Sequence, residues 1–249
     1  MVDQLTITDE ITFPDANQLV TEDDTPVDNF ASAKQQRLLV SSLYSSLTEQ
    51  RFLAEANVGI YHTVNQPAIV PDAFVSFNVQ VPENWWEKQN RCYLVWNFGK
   101  PPEIAIEIVS NKVGGELTDK LKIYEQMRVS YYGVYDPSQQ LGDTILRLYE
   151  IRGIHFTEMQ EPWLEQVGLG LTTWQGDFEG RQDTWLRWCD QSGNILLTGD
   201  ERAEQEKQRA EQEKQRAEQE KQRAEQEKQR ADRLADFLRS QGINPDQLP

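Results

Sequence analysis

The stretch Pro102–Ser110, PEIAIEIVS, places an acidic residue inside an apolar strand pattern. Side chains in a strand alternate between the two faces of a sheet, so its three isoleucines share one face and Glu107 points to the other. Its neighbours on that second face, Ala105 and Val109, are apolar as well. A lone carboxylate buried in such surroundings is costly. Glu107 therefore needs a partner, and a metal ion is one candidate.

A second acidic residue in an apolar setting lies upstream, at Asp72 in the strand-like segment AIVPDAFVSF. Taken alone, the Pro71-Asp72 pair is also typical of a turn, and Glu107 could be an ion-paired core residue. If the two strands are neighbours in one sheet, Asp72 and Glu107 can converge on one divalent cation. Oxygen ligands of this kind suit Mg²⁺ or Mn²⁺.

A lysine on the following helix is the third candidate. The segment GGELTDKLKIYEQM, residues 114–127, has glycines in front and apolar residues at helical spacing, which predicts an amphipathic helix. At about 100° per residue, Lys120 falls within the apolar arc that includes Leu117 and Tyr124, whereas Lys122 falls on the open face. A lysine on a buried stripe needs an anionic neighbour or a path to solvent. The carboxylate pair would supply that neighbour.

The order of predicted elements indicates a mixed sheet. Helical spacing of leucines predicts a first helix over residues 32–55 with Ser32 as its N-cap. Strand-like runs follow at 58–64 and 68–77, an inserted excursion at 81–102 comes before the Glu107 strand, and antiparallel hairpins are predicted after residue 143. Trp85 and Trp86 in the excursion form either a base-stacking platform or a lid over the core. Consecutive strands followed by a helical crossover give an α/β or α+β sheet.

These segments together resemble a known family. The PD pair at 71–72, IAIEIVS at 104–110, DKLKIYEQMRVSYYGVYDP at 119–137 and WLRWCDQSGNIL at 185–196 are similar to the Uma-type family of restriction endonucleases. That family lies within the PD-(D/E)XK phosphodiesterase superfamily. The resemblance spans about residues 20–200 and leaves the C-terminal repeats outside.

The resemblance implies a restriction endonuclease-like core with the order α-β-β-β-α-β. It also implies a metal-dependent DNA endonuclease, dimeric by analogy, in which Asp72, Glu107 and the Ile108 carbonyl hold Mg²⁺ or Mn²⁺ and Lys120 assists hydrolysis. The chain departs from the wider superfamily at Val109, where the motif places its lysine. In the Uma-type pattern the lysine lies on the next helix, at the place that Lys120 occupies.

Two further residues are expected near this site, Ser110 and Tyr124. Both could support the acid pair from its surroundings. For Tyr124, packing in the core is the alternative role.

Composition divides the chain into three predicted parts. Residues 1–30 form an acidic lead-in, residues 31–199 the folded domain, and residues 200–249 a charged helix in which AEQEKQR occurs four times. Each heptad offers a single apolar residue, so a solvated helical spacer is favoured over a coiled coil. The alternative is self-association through the apolar end at Leu234, Phe237 and Leu238.

The charge distribution favours a second function class. The net charge is −16, and because residues 200–249 carry −2, residues 1–199 carry −14. Such acidity disfavours non-specific DNA binding. The alternative to a nuclease is therefore a catalytically silent nuclease-like module that binds nucleic acid or protein and has a helical assembly tail. Two separated cysteines, no leader pattern and no apolar run of about 20 residues predict a soluble, cytoplasmic protein without a membrane partner.

Overall fold

A computed structural model of the chain describes residues 29–112 and 114–242. The chain divides into two compact units, and the boundary falls between Thr198 and Gly199. The predicted acidic lead-in, residues 1–30, lies almost wholly outside the described residues. None of the described helices is both long and apolar enough to cross a membrane.

Among the described residues, the first unit contains three α-helices and eleven strands, and the second contains one long helix. The helices are α1 (Phe30–Ser46), α2 (Val95–Phe98), α3 (Asp119–Met127) and α4 (Gly199–Ser240). The strands are β1 (Phe52–Glu55), β2 (Ile60–Tyr61), β3 (Ala73–Phe77), β4 (Tyr93–Leu94), β5 (Ile104–Ile108), β6 (Tyr131–Tyr135), β7 (Leu146–Arg152), β8 (His155–Glu158), β9 (Trp163–Leu164), β10 (Leu169–Phe178) and β11 (Arg181–Cys189).

A six-stranded mixed sheet with the order β1-β3-β5-β6-β7-β8 forms the centre of the first unit. β5 and β6 run parallel, and the other neighbouring pairs are antiparallel. A parallel pair needs a crossover connection, which α3 provides. The order α1-β1-β3-β5-α3-β6 is therefore the α-β-β-β-α-β core, and β7 to β11 add antiparallel hairpins. The predicted fold class, a mixed sheet with a long C-terminal helix, is confirmed.

The first helix begins and ends earlier than predicted. The side chain of Asn29 accepts hydrogen bonds from the backbone N–H groups of Ala31 and Ser32, so Asn29 and not Ser32 is the N-cap. The helix ends at Ser46. Leu47, the last leucine of the predicted helical pattern, is its C-cap.

Residues 52–55, predicted as helix, instead form the edge strand β1. Pairing with β3 satisfies the backbone of this segment, and its side chains alternate between the two faces of the sheet. The predicted strand at 58–64 is reduced to β2, which pairs with β4 outside the main sheet. Three strands therefore do precede α3 in the core, but the first of them is β1.

Each face of the six-stranded sheet has its own hydrophobic cluster. On one face the isoleucines of β5 pack with Leu39 and Leu43 of α1 and with Trp188 of β11. On the other face Ala105 and Val109 pack with Phe74 of β3 and with residues of α3. The predicted alternation along β5 is thereby confirmed, and Glu107 lies on the face that α3 covers.

The helix α4 spans the heptad repeats and is polar on every side. None of its described side chains is buried. Within each repeat a glutamine donates a hydrogen bond to the glutamate four residues before it, as Gln208 does to Glu204. Leu234 and Phe237, near its C-terminal end, are exposed. Self-association through this end, and the dimer implied by the resemblance, stay predictions.

Candidate active site

The pairing of β3 with β5 brings Asp72 and Glu107 together. Ala73 is paired with Ile106 in antiparallel register, which places Asp72 across from Glu107 on the same face. Oδ2 of Asp72 accepts a hydrogen bond of 2.7 Å from the backbone N–H of Ile108. The sheet thus holds two carboxyl groups and the Ile108 peptide in one place.

A glutamine of α1 fixes the other oxygen of Asp72. Nε2 of Gln36 donates a hydrogen bond of 2.8 Å to Oδ1, and the buried Gln36 amide also bonds to the side chain of Asn57. Burial raises the pKa of Asp72, although the hydrogen bonds from Ile108 and Gln36 and the charge of Lys120 oppose the rise. Both oxygens of Asp72 therefore have a defined orientation before any ligand binds.

Glu107 is almost fully buried, with 1% of its surface exposed. Oε2 accepts a hydrogen bond of 2.8 Å from Nζ of Lys120, and Oε1 accepts one of 2.6 Å from the hydroxyl of Tyr124. Burial raises the pKa of Glu107 to about 8; Lys120 opposes this rise and Asp72 adds to it. Removal of this carboxyl group from water therefore favours its protonated form, compared with an exposed glutamate.

Lys120 reaches the acid pair from α3, one helical turn before Tyr124. Its side chain is 30% exposed, whereas the side chain of Lys122 is 70% exposed and its Nζ lies 4.0 Å from Oδ1 of Asp119. Burial lowers the pKa of Lys120, but the neighbouring carboxylates, Glu107 foremost, outweigh this and raise it. The ammonium group therefore stays charged, and it remains accessible to a ligand.

A third carboxylate at this site, that of Glu116, is not among the residues predicted from the sequence. This side chain is buried, and its Oε1 lies 3.7 Å from Nζ of Lys120. Its Oε2 is also buried and has no hydrogen-bond partner among the residues that the structure describes. Gly114 lies against the carboxylate, where a Cβ atom would be 1.9 Å from Oε1. The spacing of four residues between Glu116 and Lys120 was the available signal.

The two predicted supporting residues differ in position. Tyr124 is fully buried in the cluster beneath α3 and also donates to Glu107, so it has both of the expected roles. Ser110 is exposed, and its hydroxyl accepts a hydrogen bond of 3.3 Å from the side chain of Asn111. Val109, where the superfamily motif places its lysine, is buried in the same cluster as Tyr124. A lysine at that position would carry its charge into the core.

The net charge of the site is suited to a divalent cation. When ionised, the carboxylates of Asp72, Glu107 and Glu116 face the single ammonium of Lys120, which leaves two negative charges without a counterpart. In residues 29–112 and 114–242, no three or more His, Cys, Asp or Glu side chains are arranged to hold a metal ion by themselves. Mg²⁺ is usually held by one or two carboxylates together with water and phosphate. The pair Asp72 and Glu107 fits that requirement.

The order of helices and strands defines a restriction endonuclease-like class of fold. Residues 20–169 match the model of the Uma2 family, which is described as "Putative restriction endonuclease". The match covers more than half of the chain, and the protein belongs to the Uma2 family.

Other similarities are partial. Residues 183–243 match a family described as "Helicobacter pylori protein of unknown function (DUF874)". A solved structure titled as "a putative nuclease belonging to DUF820 from Anabaena variabilis" is 18% identical, with a TM-score of 0.38. The similarity covers 55% of this chain and 71% of that one, and at this level it supports no argument about function. No protein with a curated description matches the chain.

Proposed function

We propose that the protein is a metal-dependent DNA endonuclease that hydrolyses phosphodiester bonds at Asp72, Glu107 and Lys120. Membership of the Uma2 family supports nuclease activity. The observation that carries the residue assignment is the ammonium of Lys120, 2.8 Å from the buried carboxyl group of Glu107, which lies opposite Asp72 in the register of β3 and β5. Buried carboxyl groups with a perturbed pKa beside a specific charged partner are typical of functional sites.

The cation would be held by Asp72, Glu107 and the backbone carbonyl of Ile108, and oxygen ligands favour Mg²⁺ or Mn²⁺. When bound, it would polarise a phosphoryl oxygen and lower the pKa of a bound water. The protein contributes rigidity, because the hydrogen bond from Ile108 N–H to Asp72 and the bond from Gln36 hold these groups in place beforehand. Glu107 would release its proton on binding.

Lys120 would act on the phosphate. Its ammonium can donate hydrogen bonds to a phosphoryl oxygen and stabilise the negative charge that develops in the transition state. Glu116, with its Oε1 at 3.7 Å from Nζ, would help to retain the ammonium beside the site. Tyr124 would orient Glu107 through its 2.6 Å hydrogen bond.

The second candidate is a catalytically silent nuclease-like module that binds nucleic acid or protein. The charge of −14 on residues 1–199 favours it, because contact with a phosphate backbone normally depends on lysine and arginine. In that case the contacts between Lys120 and the acids would be structural.

Cleavage assays on plasmid and single-stranded DNA test the proposal. We expect cleavage with Mg²⁺ or Mn²⁺, none in EDTA, and recovery when the metal is restored, because the protein groups alone cannot neutralise the attacked phosphate. The Asp72→Asn variant, purified in the same way, is the control. Equal activity in both proteins would reveal a contaminant. No cleavage of either substrate by the wild type would favour the silent module.

A further inference from the structure

A large pocket lies on the face of the sheet that carries the acid pair. Its volume is about 900 Å³. Leu53 of β1, Phe74 of β3 and Tyr93 of β4 line it and are buried. Phe74 lies two residues beyond Asp72, which directly precedes β3, so their Cα atoms are about 7 Å apart. One residue of the pocket lining is therefore two positions from Asp72 in the chain, although none of the proposed site residues lines the pocket.

The lining of the pocket is aromatic. The rings of Tyr93 and Phe98 are stacked, with centroids 4.2 Å apart and planes 5° from parallel. Trp85 and Trp86 also line the pocket and are 53% and 89% exposed. The exposure of Trp86 favours the base-stacking alternative over a lid on the core. Large aromatic surfaces left in water beside an apolar pocket are typical of a ligand-binding site.

Polar groups are few and lie among these rings. Glu55 of β1, Asn90 and Arg91 line the pocket. Glu55 is half-buried, and burial raises its pKa. Within the described part of the chain, its carboxylate forms no ion pair, so it can accept hydrogen bonds from a ligand. Nη2 of Arg91 donates a hydrogen bond of 3.3 Å to the backbone carbonyl of Trp86. This bond joins the backbone at Trp86 to a residue of the pocket lining.

We infer that this pocket binds an unstacked nucleobase of the strand whose phosphate lies at Asp72 and Glu107, an inference that rests on the proposed function. Trp85 and Trp86 would stack on the base, and Glu55 would accept hydrogen bonds from its exocyclic amino group. A carboxylate accepting from the amino group of cytosine is a known base contact. Stacking needs no positive charge on the protein, which suits a domain of this acidity.

Binding in EDTA tests the inference without requiring cleavage. The full chain is titrated with hexadeoxycytidylate and with hexadeoxyuridylate while the tryptophan fluorescence is followed. The two oligonucleotides differ by the amino group that Glu55 would recognise. We expect quenching by both and at least about fivefold tighter binding of the cytosine oligonucleotide.

Three variants separate stacking from base recognition. Trp86→Ala should weaken binding of both oligonucleotides about 5- to 150-fold, the value of one base–aromatic stack. Glu55→Gln should remove the preference for cytosine. Phe30→Ala, which alters an aromatic residue that is 94% exposed and lies outside this pocket, should bind as the wild type does.

The outcomes distinguish the pocket from the nuclease. Base-selective quenching by a protein that cleaves nothing would support the pocket and count against the proposed catalysis. Intact cleavage with the same binding in the wild type, Trp86→Ala and Glu55→Gln would overturn the pocket and leave the nuclease. Binding that is equal for the two oligonucleotides in the wild type would overturn base recognition by Glu55.

Discussion

Replacing Lys120 by alanine should lower the rate of metal-dependent DNA cleavage about 100- to 1,000-fold. This is the usual effect of removing one group that stabilises charge in a transition state. Lys122→Ala is the matched control, because the two lysines lie on the same helix and both substitutions remove one positive charge. The side chain of Lys122 is 70% exposed and faces away from the acid pair, so its removal should leave the rate close to that of the wild type.

Single-turnover cleavage of a labelled oligonucleotide at saturating Mg²⁺ measures this difference. Thermal unfolding of both variants establishes that each is folded under the assay conditions. Equal losses in Lys120→Ala and Lys122→Ala would mean that only the overall charge matters. Wild-type rates in both would assign Lys120 a structural role beside Glu107.

In EDTA, the free energy of unfolding should decrease by on the order of 4 kcal/mol between pH 5 and 8, and Glu107→Gln should remove most of that decrease. Burial raises the pKa of Glu107 from 4.5 to about 8 in the folded protein. The folded state therefore keeps a proton that the unfolded chain has already released. The resulting stabilisation of the folded state is complete below the pKa that Glu107 has in the unfolded chain. It is lost as the pH rises through the pKa that Glu107 has in the folded protein. The raised pKa of Asp72 acts in the same direction.

Urea unfolding of the wild type and Glu107→Gln at a series of pH values tests this expectation. The comparison separates the effect of Glu107 from that of acids whose contribution to stability grows as the pH rises. Glu179 is one of these, because hydrogen bonds from Arg37 and Lys34 lower its pKa to about 2. Parallel pH profiles for the two proteins would show that Glu107 ionises as freely in the folded state as in the unfolded one. A functional carboxylate that costs stability is a common feature of active sites.

Local periodicity accounts for the parts of the site that sequence patterns could predict. Strand alternation with a period of two places Glu107 opposite the isoleucines of β5, and helical periodicity places Lys120 and not Lys122 on the buried side of α3. Each of these inferences needs only a few neighbouring residues. The meeting of Asp72 with Glu107 needed the additional assumption that β3 and β5 are neighbours, which the observed register supports.

Contacts between distant segments account for what sequence patterns missed. The hydrogen bond from Gln36 to Asp72 depends on how α1 packs against the sheet, and no periodicity of α1 predicts it. Glu116 precedes α3, and its buried carboxylate lies against Gly114, a contact that helical periodicity does not predict. The segment 52–55 forms a strand because the edge of β3 is available for pairing, which outweighs the helical pattern before it.

Binding of a divalent cation by Asp72 and Glu107 is tested most directly by calorimetric titration of the full chain with Mn²⁺, comparing the wild type with Asp72→Asn. Removing a residue that hydrogen-bonds to a metal ligand weakens metal binding about 10- to 100-fold. Removing a ligand itself should therefore weaken metal binding by more than that. We expect about one Mn²⁺ per wild-type chain and binding more than about 100-fold weaker in Asp72→Asn. The same affinity in both proteins, or no binding by the wild type, would contradict a metal-dependent active site at this position.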